Sequence, residues 1–241
     1  MTKTPSEIER LARQRLASDE DQINGTAATG RRTHVGLGEA GRAFWLHPSP
    51  WLISTFVAGS VTLRVVVGGG SWWELAIPAA LVASFPVIEW LIHVVVLHWR
   101  PRRVGSVEVD SLLARKHRAH HADPRDLPLV FIPWPVLTWL LPAYVAVLLL
   151  VMPTLPSALS LLVSVYAIKL GYEWIHYLVH SDYRPRSRWF RSVWRNHRLH
   201  HYKNEHYWFT VTSAGTADRL FGTYPEPATV PTSPTVRQLH H

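Results

Sequence analysis

Apolar residues in this chain gather into four long stretches, over residues 44–67, 71–98, 127–152 and 156–180. Each supplies the roughly 20 apolar residues that a helix needs to cross a hydrocarbon layer. Inside a bilayer the backbone N–H and C=O groups have no water to bond, so segments of this kind are predicted to be helices. The first stretch is the weakest, because Arg64 stands near its end. The third carries Pro128, Pro133, Pro135 and Pro142, which predicts an irregular or interfacial start. Residues 1–43 are polar, contain the stretches "INGTAATG" and "GLGEAG", and read as a flexible cytoplasmic tail. Residues 224–241 read as a second tail, rich in Pro and Thr, which leaves 44–223 as the membrane domain. The expected fold class is all-α and integral to the membrane: four transmembrane helices in two hairpins with a cytoplasmic helical cap.

Charge sharpens this picture. The net formal charge is +8, which suits either nucleic acid or an anionic membrane surface. Its distribution decides between them, since 23 of the 25 Lys and Arg lie in 1–42, 100–125, 184–203 and the stretch after 218. The links "GGG" and "PTLP" carry no charge, whereas the segments 99–126 and 184–203 each carry seven Arg and Lys. The positive-inside rule then puts both termini and 99–126 in the cytoplasm. Trp72 and Trp73 belong at the outer interface, and Trp45, Trp99 and Trp189 near the inner one. Arg184, Arg186, Arg188, Arg191 and Arg195 read as partners of lipid phosphates. No stacking or groove-reading motif accompanies them, so nucleic acid is not an expected partner. The polar start shows no cleavable leader, and the excess of Arg over Lys points to a bacterial plasma membrane.

The chain has no cysteine, so a metal would be held by nitrogen or oxygen. Ten of the 15 histidines form four clusters: His93 and His98; His117, His120 and His121; His176 and His180; His197, His200 and His201. The charge-based topology brings all four clusters to one side of the membrane. "KHRAHH" and "NHRLHH" place histidines at i, i+3 and i+4, one face of a helix, with the last two diverging enough to reach two ions and the first pointing between them. His176 and His180 also share a face. His93 and His98, five apart, diverge by about 140° on an ideal helix, so they need a local bend or different metals. Ten imidazoles exceed the four to six ligands of a single ion, and two metals are the natural count. "KHRAHH" is expected to answer His93 and His98, and "NHRLHH" to answer His176 and His180. Glu89 and Glu173, each about a helical turn from a histidine pair, suit support behind the ligands. His206 is either further support or incidental. His34 and His47 read as interfacial or core residues, and His240 and His241 as incidental. Arg198 and Asn196 read as surface or supporting positions.

The order His-x4-His, His-x2-His-His, His-x3-His, His-x2-His-His resembles the membrane fatty acid hydroxylase superfamily, which also contains sterol desaturases, and most closely its fatty acid 2-hydroxylase branch. "HHADPRD", with Pro124 and Asp126, is similar to that family's second histidine box, and "GYEWIHYLVHSDYRP" to its third, with Glu173 where Asp is usual. "DRLFGT" is similar to its C-terminal ending, so the likeness covers roughly 85–223. The resemblance implies the ten histidines as metal ligands, Asp126 as a supporting group, and O2-dependent hydroxylation of a fatty acyl lipid beside its carboxyl carbon. It implies two iron ions, with zinc able to replace them in a purified sample, and no bound haem or flavin. Electrons would come from a separate ferredoxin or a cytochrome b-type donor with its reductase, since no His-Pro-Gly-Gly haem motif is present. Two alternatives stay open: desaturation, or oxidation of a sterol, carotenoid or alkane. A metal transporter is disfavoured, because it would place ligands at the bilayer midplane.

Overall fold

The structure is a computed structural model that describes residues 35–240. Helix α1 spans Leu37–Phe44 and α2 spans Pro48–Val67; a 3-10 turn, Trp72–Leu75, leads into α3, Ala76–Leu91. A π-helical segment, Ile92–Leu97, continues α3. A two-stranded antiparallel hairpin follows, β1 (Arg102–Val104) and β2 (Val107–Val109), with Arg102 opposite Val109. Helix α4 spans Leu112–Ala122, α5 Trp134–Val151, α6 Leu155–His180, α7 Arg188–Tyr202 and α8 Thr216–Leu220. The spans long and apolar enough to cross a membrane are Pro48–Val67, Trp72–Leu97, Leu127–Val151 and Leu155–His180. They match the four apolar stretches to within a few residues. The irregular start expected for the third span is present, as a 3-10 turn at Leu127–Val130 with α5 beginning only after Pro133.

Helix α6 is the central post. It packs against α2 most extensively and also against α3 and α5. Ile53 of α2, Leu137 and Leu141 of α5, and Leu159, Leu162 and Tyr166 of α6 form one buried cluster, where the Tyr166 hydroxyl donates to the Leu141 carbonyl at 2.7 Å. The faces turned away from this cluster stay apolar: Leu150 is 85% exposed and Val66 76%. Such a surface is stable against hydrocarbon and unstable against water. Arg64 is accommodated at the end remote from the histidines. It donates to Ser160 Oγ at 2.9 Å and pairs with Glu74 at 2.8 Å, joining three spans through a polar knot. Gly68, Gly69 and Gly70 all take positive φ in the link between the first two spans. At Gly70 an added Cβ would strike the Arg64 and Glu74 side chains.

A second buried cluster lies at the histidine-bearing end and includes Ala40, Phe44, Val130, Phe131, Tyr177 and Phe190. It corrects the reading of "GLGEAG" as flexible. Ala40 and Phe44, four apart, place one apolar face against α6, and packing overrides the low helix propensity of the glycines. The stretch 1–34, with "INGTAATG" and His34, lies outside the described residues, as does His241. Helices α4 and α7, which carry the two three-histidine boxes, both start at a serine. Ser111 Oγ accepts from Ala114 N at 3.0 Å and Ser187 Oγ from Phe190 N at 3.1 Å, which satisfies amides that a helix start leaves unpaired.

Candidate metal centre

Four elements deliver the histidines. The π-helical segment gives His93 and, as the residue capping its end, His98; α4 gives His117, His120 and His121, the end of α6 gives His176 and His180, and α7 gives His197, His200 and His201. They sort into two groups of five, each able to hold a metal ion: His93, His98, His117, His121 and His200, and then His120, His176, His180, His197 and His201. Within each group the candidate ligand atoms all lie within 4.8 Å of one another. The groups adjoin, with the rings of His121 and His201 4.2 Å apart.

The five-residue gap between His93 and His98 is resolved by the π turn. The His98 N–H donates to the His93 carbonyl at 3.0 Å, a bond that skips one residue more than in an α-helix. The wider turn brings positions i and i+5 to one face, so both histidines join the same group. The sorting of the two boxes differs from the expectation. His117 does not point between two ions; it pairs with His121 in the first group, while His120 crosses to the second. Likewise His197 and His201 stay together and His200 crosses to the first. Each box thus gives its i and i+4 members to the pair expected for it and its i+3 member to the other pair. On a helix i+3 and i+4 fall on opposite sides of i, and a box seated between two groups must divide in this way.

All ten are buried except His98, which is partly so. Burial first, and crowding by other imidazoles second, hold His98, His117, His120, His121, His197, His200 and His201 well below the ordinary histidine pKa. They are therefore neutral near pH 7, the form that binds metal. The nitrogens also face one another. His93 Nε2 lies 3.1 Å from His117 Nε2, and His120 Nε2 3.2 Å from His180 Nε2. His197 Nε2 lies 3.0 Å from both His176 Nε2 and His201 Nε2. An imidazole nitrogen carries either one proton or one lone pair, so three converging nitrogens cannot satisfy one another by hydrogen bonds. A shared cation can satisfy them. Metal–nitrogen bonds of about 2.0–2.1 Å meeting near a right angle bring two donors to about 3 Å, the spacing seen. The buried His121 Nε2 has no hydrogen-bond partner, which fits a ligand atom as well. The donor set therefore fits two metal ions.

Backbone carbonyls hold the outer nitrogens of the first group. The Nδ1–H groups of His93, His200 and His121 donate to the carbonyls of Phe209 (2.5 Å), Tyr207 (2.8 Å) and Val236 (3.1 Å). Because a carbonyl can only accept, these bonds fix the proton on Nδ1 and leave Nε2 free to bind a metal. Trp208, between two of these carbonyls, is fully buried with φ at +55°. That region is uncommon for a bulky residue, and here it aims the carbonyls on either side at two histidines. Asp218 secures the segment by accepting from Phe209 N at 2.8 Å, Thr210 N at 3.0 Å and Thr223 Oγ1 at 2.8 Å.

The supporting roles expected of acidic residues are redistributed. Glu89 bonds to no histidine; it accepts from Val211 N at 2.8 Å and Thr212 Oγ1 at 2.8 Å, tying the second span to the carbonyl-bearing segment. Glu173 accepts from Ser49 Oγ at 2.9 Å and Ile132 N at 3.0 Å, bracing three spans one turn from His176. Asp126 is exposed on the turn before Leu127 rather than set among the buried histidines. His206 points outward with its side chain 65% exposed, 3.6 Å from Glu205. His47 stacks on Phe131 at 4.0 Å, in keeping with a core role. Arg184, Arg186, Arg188, Arg191 and Arg195 are exposed, but Arg198 is not a surface residue: it is buried, with its guanidinium over the Trp194 ring at 4.4 Å. Asn196 is buried too and accepts from the Tyr224 hydroxyl at 3.1 Å. His240 is not incidental, since its Nε2 lies 2.9 Å from the His98 carbonyl.

A family model described as "Fatty acid hydroxylase" matches residues 78–223, more than half of the chain and all ten clustered histidines. No curated protein and no solved structure matches.

Proposed function

The chain belongs to the fatty acid hydroxylase family, and from that premise we propose that it is an O2-dependent dimetal monooxygenase hydroxylating a lipid acyl chain at carbon 2. The observation that carries this reading is the pair of adjoining five-histidine groups. The ligands of one ion would be His93, His98, His117, His121 and His200, and those of the other His120, His176, His180, His197 and His201. Bound there, two iron ions would supply the oxidising power toward an unactivated C–H bond that no side chain possesses.

The remaining work falls to the protein. Neutral, buried imidazoles present lone pairs without repelling a cation, and the carbonyls of Phe209, Tyr207 and Val236 hold three of them in one tautomer. A cavity of about 420 Å³, within the range of ligand pockets, reaches from His93 and Glu89 into the membrane-spanning region. Phe85, Ile88, Leu140, Val165 and Ile168 give it a predominantly apolar wall. Such a wall binds an acyl chain by burying its methylenes, about 0.8 kcal/mol each, and excludes water from the reacting carbon. Holding one carbon beside the His93 end turns a flexible chain into a selective substrate.

The setting proposed is a bacterial plasma membrane with the histidines on the cytoplasmic side, where a separate ferredoxin or cytochrome b-type donor could deliver electrons. Comparative lipid mass spectrometry of host cells with and without the gene tests the assignment. A gain of one oxygen, mapped to carbon 2 and lost in a His176→Ala variant, is expected. A new double bond, or an oxygen on a sterol or carotenoid, would replace it with the corresponding alternative.

A further inference from the structure

Beyond the family-matched residues, the chain does not trail away as a tail. It returns to the histidine cluster as a strap over residues 230–240. Every third residue turns inward: Val230, Ser233, Val236 and Leu239 are buried. Four anchors hold it. Glu205, buried on the segment after α7, accepts from the hydroxyls of Ser233 at 3.0 Å and Thr235. The Ser233 N–H donates to the Lys203 carbonyl at 2.7 Å, and Arg237 donates to the Ala122 carbonyl at 3.3 Å, at the end of α4. His240 is bracketed between the His98 carbonyl, at 2.9 Å, and the Arg100 guanidinium, at 3.0 Å.

The strap's two hydrogen bonds to histidine residues both fall in one group. The Val236 carbonyl accepts from His121 Nδ1, and His240 bonds the backbone of His98. His121 and His98 belong with His93, His117 and His200. The outer nitrogens of His120, His197 and His201, in the other group, are buried without any partner. The C-terminal half of the strap thus serves one ion's ligands and leaves the other ion's alone.

We propose that residues 230–240 are a positioning strap for one of the two metal ions, the ion held by His93, His98, His117, His121 and His200. This rests on the dimetal reading above. A carbonyl behind a ligating imidazole fixes its tautomer and direction, and removing such support weakens metal binding by about 10–100-fold. With free iron held just above the wild-type dissociation constant, loosening the strap therefore largely empties one position and leaves the second filled.

The test is iron(II) binding to the purified full-length chain in nanodiscs, read as metal per protein with helix content by circular dichroism. Two changes loosen the strap: a stop codon after Thr232, and the full-length pair Glu205→Ala with His240→Ala. The wild type is expected to hold two ions and both variants about one. Adding His200→Ala to the paired variant should remove no further iron, whereas adding His197→Ala should remove the rest. Cobalt(II) gives a second readout, because the variants should lose the absorption bands of one site only. Should the truncated chain lose its helix content, the full-length pair decides. Two ions retained in the variants, or both ions lost together at unchanged helix content, would overturn the strap. A wild type holding fewer than two ions would instead overturn the dimetal reading.

Discussion

Replacing Asp218 by Ala tests how the chain supports the first histidine group. The side chain is fully buried, and its two oxygens accept from Phe209 N, Thr210 N, Thr210 Oγ1 and Thr223 Oγ1. Alanine leaves two buried amides without acceptors, while the two hydroxyls can rotate toward other partners. An unsatisfied buried donor costs about 1–3 kcal/mol, so two cost about 2–6 kcal/mol, a large share of a typical stability of about 5–15 kcal/mol. Asn keeps one oxygen for Phe209 N and can donate to Thr210 Oγ1, so Asp218→Asn should lose about half as much. The effect should extend to metal, because the Phe209 carbonyl sits on His93 Nδ1. Thermal unfolding of the purified protein in detergent, with iron titration alongside, measures both. The expected order of stability is wild type, then Asn, then Ala, with iron binding at the His93-containing site weakened about 10–100-fold in the Ala variant. An Ala variant as stable as wild type, or an Asn variant as damaged as Ala, would refute the reasoning.

Three further outcomes follow from the same geometry. His120→Ala and His180→Ala should empty the same metal position despite lying on different helices, so the double variant should lose no more iron than either single one; additive loss would contradict the crossing of the boxes. Removing metal with a chelator should lower the melting temperature, and iron at one hundred times its dissociation constant should restore about 2.7 kcal/mol per site; a melting curve indifferent to metal would argue against imidazoles gathered for cations. Ile168→Trp fills the apolar cavity, so turnover should fall at least tenfold while iron content stays unchanged; full activity would place the acyl chain elsewhere.

The four spans were legible because length and apolarity suffice to identify them, and the ten histidines because their spacing and the charge-based topology pointed to one place. Three features left no comparable mark. The π turn under His93 and His98 involves a run of Ile, Val and Leu that would suit an ordinary helix equally well, and only the five-residue gap hinted at it. The exchange of His120 and His200 between groups depends on how α4 and α7 pack, which spacing within either helix does not determine. The outer hydrogen bonds of the first group come from the carbonyls of Tyr207, Phe209 and Val236, groups that every residue carries. The acidic residues expected behind the ligands work one step further out, with Glu89 anchoring the segment that provides two of those carbonyls. The Pro- and Thr-rich composition of 224–241 reads as a tail, yet between 230 and 239 every third residue is buried, and Val236 and His240 reach His121 and His98.

The most direct test of the oxygenase assignment is turnover under oxygen-18 gas. Purified protein loaded with iron, in lipid nanodiscs with a reducing system, should produce a 2-hydroxylated acyl lipid whose new oxygen carries the heavy isotope. A hydroxyl labelled only from oxygen-18 water, or no oxidised lipid from fully iron-loaded protein, would contradict the assignment.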